Sequence, residues 1–224
     1  MYSMVDYSNQ SSIAFKSRIV FLSPQGLSKV FARFKNKDFA NIYHFCISNN
    51  EKARSNCYKT NVLRGYTKGV KTCTAGICAE KGKRAPLFWH VENLRANIEK
   101  FPVLAKLIKG TNAIIIGSKK NYKYSTELFD KFEKETQNKG LPTTIIKGTN
   151  NEEVSMLYEA NADTLYVCMN DIYKKDNYVA SMKDLQKVCD VVKISPTDSV
   201  EFYDCLPKET PKQKLKNLLK FFWN

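Results

Sequence analysis

The sequence predicts a single-domain α/β (α+β) fold, with a mixed or sandwich-like central β-sheet flanked by helices. An apolar strand, an amphipathic helix and a second apolar strand follow one another over residues 113–146. Residues 72–91 hold two apolar runs that a basic turn joins, a pattern typical of a β-hairpin. A chain of 224 residues, 43% of them hydrophobic, suits one large domain that buries its own core.

The chain is expected to have three parts. Residues 1–17 are rich in Ser, Asn and Tyr and lack apolar periodicity, which indicates a loose N-terminal arm. Residues 18–210 are expected to form the domain. Residues 211–224 are basic and carry Leu215, Leu218 and Phe222 on one side, which predicts an amphipathic helix. Both a helix docked on the domain and a helix that binds a membrane surface or a partner fit this pattern.

The N-terminal half alternates between regular elements and polar stretches. Ser23 and Pro24 favour the start of a helix that runs to about Phe34, since apolar residues follow at helical spacing. Residues 42–47 are expected to form a strand. The stretch 48–71 is polar and contains glycines, and we interpret it as a loop.

The runs 72–79 and 86–91 are the two arms of the predicted hairpin. Cys73 lies at the start of the first arm and His90 at the end of the second. Antiparallel arms bring these two ends together, and directly opposed residues have Cβ atoms roughly 4.5 to 5.5 Å apart. We therefore expect the Cys73 thiol and the His90 imidazole to meet across the hairpin.

The C-terminal half is expected to continue the alternation of helices and strands. Pro102 divides the helical pattern over 92–109 into two short helices or one kinked helix. Gly140 is expected to end the helix that precedes residue 140. The remaining predictions are a strand at 113–116, a helix at 126–139, a strand at 143–146, a hairpin of 154–158 with 164–169, a helix at 183–188 and a strand at 191–194.

The positive charge of the chain limits the classes of partner that it could bind but does not identify one of them. Thirty-six Lys and Arg against 22 Asp and Glu give a formal charge of +14, which attracts acidic protein surfaces, nucleic acid or anionic lipid. The lysines are scattered, and no nucleic-acid-binding motif is present, so nucleic-acid binding is not expected as the main function. No run of about 18 apolar residues occurs, so no membrane span is expected.

The seven cysteines are an odd number at irregular spacings, which favours reduced thiols. Cys46, Cys168 and Cys189 lie in apolar runs, where a cysteine usually packs as a small hydrophobic side chain. The sequence has no Cys-x-x-Cys pair and no cluster of histidines. No metal and no other cofactor is therefore expected.

Cys73 and His90 are the candidates for nucleophilic catalysis. A cysteine attacks as a thiolate, and a protonated histidine beside it lowers the thiol pKa. The same imidazole can protonate departing ammonia and then activate water against a thioester. Cys78, twelve residues before His90, competes as the nucleophile, and His44 is the other histidine of the chain. Packing without catalysis is the alternative for each of these residues.

Two intervals and two short motifs carry a resemblance to a known superfamily. Thr67 lies six residues before Cys73, and His90 lies seventeen residues after it. The motif Cys-Thr-Ala-Gly-Ile-Cys-Ala occupies residues 73–79, and Leu-Phe-Trp-His occupies residues 87–90. The segment resembles the cysteine-histidine core of the protein deamidases, among them the chemoreceptor glutamine deamidase CheD, the cytotoxic necrotizing factor catalytic domain and the Burkholderia lethal factor. The resemblance covers about residues 60–170, with Lys71-Thr72 in place of the Ser-Gly of the toxin members.

The resemblance implies a cysteine-dependent protein glutamine deamidase in residues 18–210. Cys73 would form the thioester, His90 would transfer protons, and Thr67 would orient His90; transglutamination uses the same thioester. The resemblance also implies a toxin or effector made in the bacterial cytoplasm and then secreted or injected to act in the host cytosol. Its substrate would be a host or partner protein, such as a small GTPase or another signalling protein. The oligomeric state is left open.

A basic module that binds protein or nucleic acid without catalysis is the second hypothesis. In that case all seven cysteines pack, and the charge of +14 alone selects the partner.

Overall fold

The fold is a sandwich of two β-sheets with helices outside each sheet. The computed structural model describes residues 17–34, 40–41, 64–79, 86–117, 122–148, 152–171 and 179–203. The strands in these ranges are β1 (Arg18–Leu22), β2 (Ala40–Asn41), β3 (Arg64–Val70), β4 (Thr74–Ala79), β5 (Leu87–Val91), β6 (Asn112–Gly117), β7 (Thr143–Gly148), β8 (Glu152–Glu159), β9 (Thr164–Asp171), β10 (Cys189–Lys193) and β11 (Ser199–Tyr203). The helices in the same ranges are α1 (Pro24–Arg33), α2 (Arg95–Glu99), α3 (Phe101–Leu104), α4 (Lys123–Asn138) and α5 (Met182–Val188).

Both sheets are mixed. The first sheet has the strand order β11-β1-β9-β8-β3-β2, and the second has the order β10-β7-β6-β4-β5. In the first sheet β1 runs parallel to both of its neighbours, whereas β8 is antiparallel to β3 and to β9. In the second sheet β6 and β7 are parallel, and β4 is antiparallel to both β5 and β6. The predicted α/β single-domain fold is confirmed.

The main core lies between the two sheets. Alternate residues of a strand face opposite sides, and β6 shows the consequence. Ile114 and Ile116 of β6 pack in the core that also contains Phe21 of the first sheet. Ala113 and Ile115 point the other way, into a second core. Both faces of β6 are buried, which explains its unbroken apolar sequence.

Helices cover the outer face of each sheet. Phe129 and Phe132 of α4 are fully buried against the second sheet, and the Trp89 ring stacks on Phe132 with ring centroids 4.3 Å apart. On the first sheet, Leu27 and Val30 of α1 pack against the outward side chains of β1 and β9. The site described below lies where the chain passes from one sheet to the other.

Most of the predicted elements are confirmed. The Ser23 hydroxyl caps α1 by accepting from the Gly26 N–H at 2.9 Å. The two hairpins and the parallel β-α-β unit occur as expected, and the pattern over 92–109 gives α2 and α3 with a break at Lys100. Gly140 follows α4 with a φ of +63°, a conformation that favours glycine.

Two predictions need correction. The stretch 48–71 was expected to be a loop, but residues 64–70 form β3, because Thr67 and Val70 pack inward while β8 supplies the hydrogen-bond partner. The local sequence patterns predict no strand at β1 or β11. These two strands are distant in sequence and pair with each other in parallel, so no local hairpin signal marks them.

Several predictions concern other parts of the chain. The arm at 1–16, the strand at 42–47 and the C-terminal helix at 211–224 lie outside the described residues. Ser17, placed at the end of the arm, is buried and its carbonyl accepts from the Ser199 N–H. Within the described residues, no helix combines the length and the hydropathy needed to cross a membrane.

Candidate active site at the sheet crossing

The chain leaves the first sheet after Val70 and enters the second at Thr74. The pairing of β3 with β8 shifts between Thr67 and Val70, which marks a β-bulge. Gly69 lies in this bulge with a φ of +72°, where a residue with a Cβ is strained. The three residues 71–73 then connect β3 of the first sheet to β4 of the second.

Thr67 and His90 are in contact across the sandwich. Thr67 belongs to β3 in the first sheet and His90 to β5 in the second, and both side chains are buried. The Thr67 Oγ1 atom lies 2.7 Å from His90 Nδ1. This is the contact that a threonine would need to orient the histidine.

Two tautomers of His90 fit the Thr67 contact, and they differ in chemistry. If Nδ1 carries the proton, it donates to Thr67 Oγ1 and Nε2 is the basic atom of the ring. If Nε2 carries the proton, Nδ1 accepts from the Thr67 hydroxyl instead. Only the first tautomer makes His90 a base at Nε2.

Cys73 is near His90 along the hairpin but not directly opposite it. The register pairs His90 with Ala75 and Val91 with Thr74. Cys73, which precedes β4, is therefore displaced by two residues from the direct partner of His90. Diagonal neighbours of this kind have Cβ atoms about 7 Å apart rather than the 4.5 to 5.5 Å expected for direct partners. The direct opposition predicted above is thus wrong by two positions.

The Cys73 thiol is held in its neutral form. Its side chain is 7% exposed, and burial together with the negative charge of Glu92 raises the pKa of Cys73 to about 11. A backbone hydrogen bond from Asn93 and the hydroxyl of Thr72 act in the opposite direction without reversing the shift. The sequence suggested that the pKa of Cys73 would be lowered and that a thiolate would be preformed. The environment of Cys73 shifts the pKa in the opposite direction.

Three groups fix the backbone around Cys73. The Thr72 hydroxyl donates to Asn93 Oδ1 at 3.1 Å, and the Ser125 hydroxyl at the start of α4 donates to the Thr72 carbonyl at 2.6 Å. Gly117 is the last residue of β6 and has a φ of +131°. It lies so close to Cys73 that a Cβ on Gly117 would collide with the Cys73 carbonyl. The contacts of Asn93, Ser125 and Gly117 were not predicted, because the packing of a separate element brings each of these residues to Cys73.

Cys78 is placed as a core residue. It is fully buried on the helix-covered face of the second sheet, among Leu87, Trp89 and Ala113. The opposite face of the same strand carries Ala75, the partner of His90. Burial raises the pKa of Cys78 to about 11 as well. Packing, rather than nucleophilic attack, is the role that this position supports.

The other candidates divide between the core and the undescribed residues. Cys168 and Cys189 are buried and unbridged, as expected for packing cysteines. His44, Cys46, Cys57 and Cys205 lie outside the described residues. In the ranges that the structure covers, no three His, Cys, Asp or Glu side chains group so that they could hold a metal ion.

A scan against protein-family models and a search of curated proteins both found no match for this chain. The geometry of the site and the resemblance at Thr67, Cys73 and His90 are therefore the only guides to function among these observations.

Proposed function

We propose that the protein is a cysteine-dependent protein glutamine deamidase. The observation that carries the proposal is the 2.7 Å contact between Thr67 Oγ1 and His90 Nδ1 beside the crossing that holds Cys73. A buried histidine that is oriented through one nitrogen can act as a base through the other. The nucleophile, the base and the orienting group of the resemblance thus come from adjoining parts of the fold.

The raised pKa of Cys73 supports one order of proton transfers for this proposal. Because the thiol is neutral at rest, His90 Nε2 takes its proton as the sulfur attacks the side-chain carbonyl carbon of glutamine. A C–S bond forms, and the carbonyl oxygen gains the negative charge. His90 then returns the proton to the amide nitrogen, the C–N bond breaks, and ammonia leaves the thioester.

Water completes the reaction. His90 accepts a proton from the water that attacks the thioester, the C–S bond breaks, and the proton returns to the sulfur. The products are a glutamate side chain and the free Cys73 thiol. An amine in place of this water would give transglutamination from the same thioester.

The proposal extends to the context that the resemblance implies. The chain would act as a bacterial toxin or effector on a protein of the host, with no cofactor. If that protein is a small GTPase, loss of the glutamine that positions water would slow GTP hydrolysis.

The second candidate, a basic binding module without catalysis, is favoured by the burial of Cys73. A cysteine with 7% exposure and a raised pKa is often an inert packing residue. In that case the protein acts through its charge of +14.

Ammonia release separates these two functions. The full chain is incubated with host-cell protein, and ammonia and the glutamine-to-glutamate mass change are measured together. Release that is abolished in Cys73→Ser and His90→Ala supports the deamidase. Cys189→Ala is the matched control, since Cys189 is buried to nearly the same degree, at 6% exposure, and lies in β10 of the second sheet away from the crossing. Release that persists in Cys73→Ser, or that is lost equally in Cys189→Ala, contradicts it.

A further inference from the structure

Three of the exposed apolar side chains lie close in sequence to residues that contact the Cys73 crossing. Among the described residues, the large hydrophobic side chains that are exposed include Leu94 at 44%, Tyr122 at 51% and Tyr124 at 37%. Leu94 directly precedes α2, and Tyr122 directly precedes α4. The aromatic and aliphatic groups therefore stand at the starts of two helices.

Hydrogen bonds place both helix starts beside Cys73. Thr72 donates to Asn93, the neighbour of Leu94, and accepts through its carbonyl from Ser125, the neighbour of Tyr124. Since Thr72 adjoins Cys73, Leu94 and Tyr124 lie on segments that meet beside Cys73. We call Leu94, Tyr122, Lys123 and Tyr124 the rim.

The rim is electropositive where α4 begins. No acidic residue lies in the first turn of α4, the side chain of the N-cap residue Tyr122 makes no capping hydrogen bond, and Lys123 is exposed. The N-terminus of a helix carries a partial positive charge, which adds to that of the lysine. Glu92, two residues before Leu94, is a half-buried acid whose negative charge raises the pKa of Cys73.

We infer that the rim docks a protein segment in which apolar and acidic residues flank the target glutamine. This inference rests on the proposed function in one respect, which is that the glutamine is the substrate of the enzyme. Docking of the segment on the rim does not require catalysis. The apolar residues of the segment would contact Leu94 and Tyr124. Its carboxylates would lie near Lys123 and the α4 N-terminus, in keeping with the formal charge of +14.

Binding of model peptides tests the rim. Three fluorescein-labelled peptides share one central glutamine and differ in their flanks, which are Asp with Leu, Lys with Leu, or Asp with Ser. Anisotropy is measured with the full-length Cys73→Ala variant, so that no turnover occurs. The Asp-Leu peptide is expected to bind about tenfold tighter than either of the others, because each of them loses one of the two complementary contacts.

Variants locate the binding to the rim. Tyr124→Ser and Lys123→Glu should each weaken binding of the Asp-Leu peptide several-fold, and Lys123→Glu should reverse the preference toward the Lys-Leu peptide. Tyr203→Ser and Lys183→Glu are matched controls, because Tyr203 is 61% exposed on β11 and Lys183 is exposed on α5. These two controls should leave binding unchanged.

The possible outcomes distinguish failure of the docking inference from failure of the proposed deamidase function. Selective binding without ammonia release from the wild-type protein keeps the docking surface and removes the deamidase. Ammonia release with equal binding of the three peptides, or with none, overturns the docking inference alone. Binding of a single-stranded oligonucleotide that Lys123→Glu abolishes, with no peptide bound, also overturns it and favours the basic binding module.

Discussion

Thr67 and His90 belong to different sheets, and a contact of 2.7 Å between Oγ1 and Nδ1 joins them. Both residues are buried, so the contact lies inside the sandwich rather than at its surface. A polar pair in this position costs free energy unless it is satisfied, which makes the pair sensitive to change. The contact therefore links the packing of the two sheets to the orientation of the imidazole.

Replacing Thr67 by Val should destabilise the protein although the shape of the side chain is kept. The change removes the hydroxyl that contacts buried His90, and we expect the free energy of unfolding to fall by about 1 to 3 kcal/mol. Thr67→Ser keeps the hydroxyl and should lose less. Urea unfolding of the three proteins measures this difference, and equal stability of the Val and Ser variants would show that the contact contributes nothing.

The reactivity of Cys73 should follow its raised pKa. With a pKa of about 11, the rate of Cys73 alkylation by iodoacetamide should rise about tenfold per pH unit between pH 7 and about 9.5 without levelling off. Glu92→Gln removes a negative charge that raises this pKa and should speed labelling throughout. Peptide mapping measures the rates, with Glu99→Gln as the control at an exposed carboxylate.

A different pH profile would contradict this description of the thiol. If labelling of Cys73 levels off below about pH 8, the thiolate is stabilised more strongly than its burial allows. A protonated His90 would then be the leading source of that stabilisation, and the thiol would be preformed for attack.

Local patterns were sufficient for much of the fold. Ala113 to Ile116, the α4 pattern and the strand at Thr143 form a unit whose elements are neighbours in sequence, and each was predicted. The strand β3 was not, because Gly65, Lys68 and Gly69 resemble a loop. Its partner β8 begins more than eighty residues later, and that long-range pairing outweighs the weak local propensity.

The candidate site was likewise predicted only in part. The intervals between Thr67, Cys73 and His90 could be read from the sequence, and they selected two residues that touch. The supporting groups at Asn93, Gly117 and Ser125 come from separate elements that tertiary packing brings together. The resting charge of Cys73 was predicted wrongly, since it depends on burial and on Glu92 rather than on spacing.

Gly117 should tolerate no side chain. Its φ of +131° is strained for alanine, and an added Cβ would also collide with the Cys73 carbonyl. We expect Gly117→Ala to lower the free energy of unfolding by about 1 to 3 kcal/mol. Gly140→Ala is the matched control, since Gly140 also has a positive φ but open space around it. Thermal unfolding should show the larger loss at Gly117, and a loss no larger than at Gly140 would mean that the approach to Cys73 is unimportant.

Asp163 should make the stability of the protein depend on pH. Burial, together with the charge of Asp198, raises the pKa of Asp163 to about 6, although hydrogen bonds from the Tyr158 and Ser17 hydroxyls oppose the shift. The ordinary pKa of an aspartate is about 3.9, so the folded protein binds more protons than the unfolded chain between about pH 4 and 6. The stabilising contribution of the protonated group is therefore complete below about pH 4 and is lost as the pH rises through 6.

Asp163→Asn is the variant that isolates this effect. Asparagine tolerates the left-handed backbone at this position, where φ is +45°, and it carries no proton that titrates in this range. The free energy of unfolding of the wild-type protein, measured relative to that of Asp163→Asn, should therefore fall between pH 4 and 6.5. Glu99→Gln, at an exposed carboxylate, is the control variant. A wild-type curve that stays parallel to that of Asp163→Asn would show that Asp163 titrates as it does in the unfolded chain.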